Sequence, residues 1–144
     1  MTNPSKAKGT RKESTARAFL KVSGFPECER QPLHGNRDHG DLIVCQAPKI
    51  IAEVKSRKGT ISGRDIDLWW KQTETEAVHA GADLGVLIVA RHGVSVAAWD
   101  AIMPASDWAL LLTGDSILPT DAPRLLRASL ADWSLMAWEW ADVA

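Results

Sequence analysis

The alternation of apolar and polar positions divides the chain into short strands and longer helical stretches. Over residues 10–23, Ala16, Phe19, Leu20 and Val22 recur at helical spacing, and Gly24 ends the segment. Thr10 followed three residues later by Glu13 has the spacing of a capping box. Residues 28–31 read as a short strand. Two apolar runs follow, Leu42-Ile43-Val44-Cys45 and Ile50-Ile51-Ala52, and read as paired strands joined by a turn at Pro48. Residues 64–80 return to helical period through Ile66, Trp69, Trp70, Thr73 and Ala77, with Gln72, Glu76 and His79 on a different face and Gly81 as the stop. Residues 84–90 form a continuous apolar strand, and Arg91-His92-Gly93 turns into a second strand over residues 94–99. Ser106 is the expected N-cap of a short helix stopped by Gly114. Asp121 and Pro123 open a last helix, in which Leu126, Leu130, Trp133, Ala137 and Trp140 share one face. This order predicts an α/β sandwich with a central mixed sheet of about five strands flanked by helices.

Three charges interrupt the pattern where it is most apolar. Asp41 opens the first strand of the pair, and Glu53 and Lys55 lie in the second among Ile50, Ile51, Ala52 and Val54. Side chains alternate across a strand, so Glu53 and Lys55 project from one face. Apolar neighbours on both faces predict a central, doubly covered strand. Charges there are costly unless they are paired or hold a metal. Asp41 and Glu53, brought together across the hairpin, are two hard oxygen ligands suited to Mg²⁺, or Mn²⁺ in its place, rather than zinc. Lys55 on the same face is placed to orient water or to stabilise negative charge. That combination is the chemistry of metal-assisted phosphodiester hydrolysis.

Composition bounds the reading. The 144 residues are 45% hydrophobic and 24% charged, as expected of one globular domain. No apolar run approaches the roughly 20 residues of a membrane span, and the N-terminus lacks an apolar signal core, so a cytoplasmic, membrane-free location is expected. Cys28 and Cys45 have no metal-ligand spacing and are expected to be free thiols. The net charge of −1 conceals an asymmetry: residues 1–64 carry 13 Lys and Arg against 6 Asp and Glu, and residues 65–144 carry 4 against 12. The basic half contains Asp41, Glu53 and Lys55, as an enzyme acting on a polyanion requires.

Asp41 followed at a hairpin's distance by Glu53-Val54-Lys55 resembles the catalytic motif of the PD-(D/E)XK nuclease superfamily, with Gly40 standing where the motif's name places a proline. The Glu13-bearing basic helix, Gly24-Phe25, Arg30, the Gly40-Asp41-Leu42-Ile43 entry and the helix with Trp70 and Gln72 make it similar to the Holliday-junction-resolvase branch of archaea and phages. The resemblance covers roughly residues 9–100 and implies a restriction-endonuclease-like fold. It implies that Asp41, Glu53, the Val54 carbonyl and Glu13 ligate metal, that Lys55 is the catalytic lysine, and that Gln72 supports the site. It further implies a homodimer that nicks branched or four-way DNA, with a bacteriophage or prophage as source. On this reading residues 1–9 are a flexible basic tail, 10–114 the nuclease core and 115–144 a helical extension of the same domain. Other nucleases of the superfamily, of restriction or repair type, and a non-catalytic DNA-binding module with a relic site are the alternatives.

Lys6, Lys8, Arg11, Lys12, Arg30, Arg37, Arg57, Lys58 and Arg64 read as a phosphate-contacting surface, with His39 beside the site as a further DNA contact. Glu13 has a competing role as the capping-box partner of Thr10. Trp133 and Trp140 read as core, and Trp138, off their stripe, as an interface residue.

Overall fold

A computed structural model of the chain describes residues 4–31, 41–115 and 124–144, with side chains of the first helix described from Arg11 onward. The elements are α1 (Pro4–Val22), β1 (Glu29–Arg30), β2 (Leu42–Gln46), β3 (Lys49–Lys55), α2 (Gly63–Ala80), β4 (Leu84–Val89), β5 (Asp100–Pro104), α3 (Ala105–Thr113), β6 (Leu125–Ser129) and α4 (Leu130–Val143). All six strands form one open sheet in sequence order. Every neighbouring pair is antiparallel except β3 and β4, which run parallel because α2 crosses between them. The mixed sheet of an α/β protein is therefore present, with six strands instead of five.

Helices cover both faces. On one, Ala16 and Leu20 of α1, Trp108 and Leu111 of α3, and Leu130, Trp133 and Ala137 of α4 pack on Ile50, Ala52, Val86, Ile88 and Met103. On the other, α2 lays Trp70 over Leu87, Val89 and Ile102. The helix α2 approaches β4 so closely that a Cβ on Gly85 would lie 3.1 Å from the Cβ of Ala77. The strand β3 is buried along its five interior residues, as its apolar run predicts. Cys28 and Cys45 are free thiols, and burial pushes the Cys28 thiol up to about 12.

Four expectations change. The helix α1 begins at Pro4, so Thr10 is inside it and no capping box forms with Glu13. The capping box of this fold is at α2, where Ser62 Oγ accepts from Asp65 N and Asp65 Oδ2 accepts from Ser62 N. Residues 94–99 do not pair as a strand; they hold a 3-10 turn (Val96–Ala98), and the partner of β4 is β5, whose Ala101, Ile102 and Met103 are buried. Ser106 is not the N-cap of α3; Pro104 occupies that place, and Ser106 is buried in the first turn. The last helix is split. Residues 121–123 lie outside those described, Leu125–Ser129 is a strand pairing with β5, and Ser129 caps α4 through Asp132 N at 3.0 Å. The 3–4 spacing of Leu126 and Leu130 thus spans a strand–helix junction rather than a helical face.

Candidate active site

The site is assembled by the β2–β3 hairpin. Leu42 pairs with Ala52, so the next step of the ladder sets Asp41 against Glu53. The backbone of Asp41 is tied on both sides: its N–H donates to Ala52 O (3.1 Å), and its carbonyl accepts from Gln31 N (2.9 Å). Its carboxylate Oδ2 accepts the N–H of Val54 at 2.8 Å. Along β3 the backbone groups alternate in direction. Lys49 O and Lys55 O accept from Asp83 N and Ala90 N on the β4 side, whereas Ala52 O accepts from Asp41 N. Val54, in phase with Ala52, turns its carbonyl to the side of Asp41.

Glu53 is buried, 3% exposed, and its Oε1 is 3.3 Å from Lys55 Nζ. The Lys55 side chain is one-quarter exposed at the strand's end, so its ammonium reaches from the buried carboxylate to solvent. Asp41 carries the conflict of charges. Its carboxyl is raised to about 8, by burial first, then by the negative charge of Glu53 and, less, by that of Glu13. The Val54 N–H and the Lys55 charge oppose the rise without cancelling it. Asp41, Glu53, Glu13 and Lys55 therefore share one electrostatic environment.

Glu13 lies within reach of that field, but its carboxylate meets Arg30 Nη2 at 3.1 Å. Among the described residues no three His, Cys, Asp or Glu side chains converge closely enough to hold an ion. With Glu13 engaged by Arg30, the oxygen donors that the hairpin itself offers are the carboxylates of Asp41 and Glu53 and the carbonyl of Val54. Mg²⁺ keeps several waters and is commonly held by one or two carboxylates together with substrate phosphate, so this donor set fits it. A buried carboxyl that a like-charged neighbour pushes towards its protonated form, as Glu53 does Asp41, is what a bound cation relieves.

Gln72 Nε2 donates to Glu76 Oε1 at 3.0 Å, and Glu76 is 1% exposed. Glu76, expected on the polar face of α2 with Gln72 and His79, is instead buried with Trp70 and Thr73, and the four-residue spacing from Gln72 sets the two side chains together. Of the expected phosphate contacts, Arg30 pairs with Glu13, and Lys12 lies over the Trp99 ring at 5.4 Å. Arg57 bonds Asp65 at 2.7 Å and covers Trp69 at 5.4 Å. Arg11, Lys58 and Arg64 are exposed. Arg37, His39 and the side chains of Lys6 and Lys8 lie outside the described residues. Trp138 is 43% exposed, while Trp133 is fully buried. Among the described residues no helix is long and apolar enough to cross a membrane. No family model matches the chain, and no curated protein or solved structure is detectably similar to it.

Proposed function

We propose that the chain is a divalent-metal-dependent endonuclease of the PD-(D/E)XK kind, resembling the Holliday junction resolvases and acting on branched DNA as a homodimer. The observation that carries this reading is Asp41 set against Glu53 on the face that also bears Lys55, with burial and like charge holding Asp41 towards its protonated form. The element order supports it: a Glu13-bearing helix, a short strand, the acidic hairpin, a crossover helix and a parallel strand follow in the sequence the resemblance implies.

Asp41, Glu53 and the carbonyl of Val54 would hold Mg²⁺. When bound, the ion supplies Lewis-acid polarisation of a phosphodiester and activation of water. The protein's own contributions follow from the geometry. The Val54 N–H fixes the Asp41 carboxylate against β3, and the sheet prevents the hairpin from splaying. Glu53 holds the Lys55 ammonium at the solvent boundary, where it can orient a water or stabilise the charge that develops on phosphorus-bound oxygens. Arg30 holds the Glu13 carboxylate in an ion pair, while the Glu13 charge still acts on Asp41.

The test is cleavage of a four-way junction with Mg²⁺ by the wild type and by Asp41→Ala, Glu53→Ala and Lys55→Ala. Cleavage by the wild type alone is expected; equal activity in all four overturns the proposal. Running flap and linear duplex substrates beside the junction separates a resolvase from a repair or restriction nuclease.

A further inference from the structure

The face that carries Lys55 continues across the sheet into a cavity of about 310 Å³. Lys55 pairs with Val89, and Val89 pairs with Asp100, so the three side chains stand in one row on one face. Neighbouring strands are about 4.8 Å apart, which places Val89 one strand spacing from Lys55 and Asp100 about 10 Å away. Val89 and Asp100 form the floor of the cavity, and Arg57, Arg91, His92 and Arg127 stand around it. Residues 65–144 contain only four Lys and Arg, and two of them, Arg91 and Arg127, meet here.

The three arginines differ in how far acids engage them. Arg57 is fixed by Asp65 at 2.7 Å and by the Trp69 ring. Arg127 is loosely paired with Asp100 at 3.6 Å and is 68% exposed. Arg91 is exposed and makes no ion pair among the described residues. Among the described residues Asp100 is the single acid in the lining, against three arginines and a histidine. Ser62 and Gly63, at the N-terminus of the 18-residue α2, close one wall, and this end of the helix favours negative charge. Among the described residues the lining contains no Trp or Phe, so it suits a phosphate more than a stacked base.

We propose that this cavity seats a DNA backbone phosphate flanking the one that is cut, on the β4–β6 side of Lys55, with Arg91 and Arg127 as its principal contacts. The inference rests on the nuclease reading of Asp41, Glu53 and Lys55. It adds a residue from β6, a strand outside the reach of the family resemblance.

The experiment measures binding of a labelled four-way junction to the full chain in EDTA, at 50 to 200 mM salt. It compares the wild type with Arg91→Ala, Arg127→Ala, their combination, and Lys71→Ala as an exposed control on α2. The salt dependence of the affinity is expected to become shallower by about one ion per arginine removed, with little change for the control. Thermal melts verify that these surface variants stay folded. Wild-type affinity and slope in the double variant overturn the proposal, and so does absence of junction binding by the wild type. Inorganic phosphate is the second probe. If it raises the melting temperature only when Arg91 and Arg127 are present, yet junction binding does not depend on them, the cavity serves a free anion and the proposal falls. Position is tested by a neutral methylphosphonate next to the cut, which weakens binding by the wild type and leaves the double variant unaffected. Cleavage separates the two readings. If the wild type does not cleave with Mn²⁺ but the arginines still set the salt slope, the phosphate seat stands and the nuclease reading falls.

Discussion

Asp41 shows at a single residue how the fold stores the site's chemistry. Replacing it with asparagine keeps the shape and the acceptor for the Val54 N–H while removing the charge that Glu53 and Glu13 oppose. Asp41→Asn is therefore expected to be at least as stable as the wild type at pH 8 without metal, by urea denaturation. The same variant is expected to lose at least about a hundredfold in junction cleavage. A pH dependence follows with a defined sign. The folded-state value of Asp41 is raised from 3.8 to about 8, so between these values the native state holds a proton that the unfolded chain has released. Metal-free stability must then fall as pH rises through that window. Asp107, raised to about 6 by burial and by Glu74, contributes in the same direction over the lower part of the range. Denaturation in EDTA from pH 5 to 8 should show the decline, and Asp41→Asn should flatten its upper half.

Elements are held in place by contacts more local than the sheet. The Ser62 capping box starts α2 and also holds Asp65, which in turn fixes Arg57 at the rim of the basic cavity. Ser62→Ala is expected to cost about 1 kcal/mol in chemical denaturation. Between α1 and β1, Gly24 has φ +113°, and a Cβ there would lie 2.6 Å from Trp138 Cδ1. Gly24→Ala is expected to cost about 1–3 kcal/mol. Truncating Trp138 to Ala in the same chain should recover the steric part and leave the backbone part, which a double-mutant cycle resolves. Trp138, for all its exposure, thus already covers part of its own chain.

At the scale of the whole molecule, residues 125–143 are part of the sheet and of the core. The strand β6 completes one edge, and Leu130, Trp133 and Ala137 of α4 are fully buried beside α1. Phe25 stacks on Trp133 with ring centroids 6.3 Å apart, tying the loop after α1 to α4. Trp133→Ala is expected to cost about 3–5 kcal/mol, and a chain ending at residue 124 is expected to show no cooperative melting transition. The charge asymmetry acts at this scale too. The basic half builds the hairpin and its surroundings, and the acidic half returns two of its few arginines to the same face of the sheet.

The sequence by itself determined the hairpin and its charges, because period-two alternation and a proline turn are local properties and a strand's geometry dictates which side chains share a face. It also determined α2, β4 and the stop at Gly114, where apolar period and glycine act within a few residues. The tertiary structure alone decided the rest. The five residues of β6 have no alternation of their own and become a strand because β5 offers an open edge. Residues 94–99 look like a strand but yield the pairing to Asp100–Pro104, whose apolar side chains fit between helices on both faces. Glu13, equally suited by sequence to a cap or to a metal, is claimed by Arg30 from a neighbouring strand. Arg91 and Arg127 are 36 positions apart and meet only because antiparallel pairing sets β6 two strands from β4. Local pattern specifies the acidic hairpin, whereas the surface on which a substrate would lie is a product of sheet order.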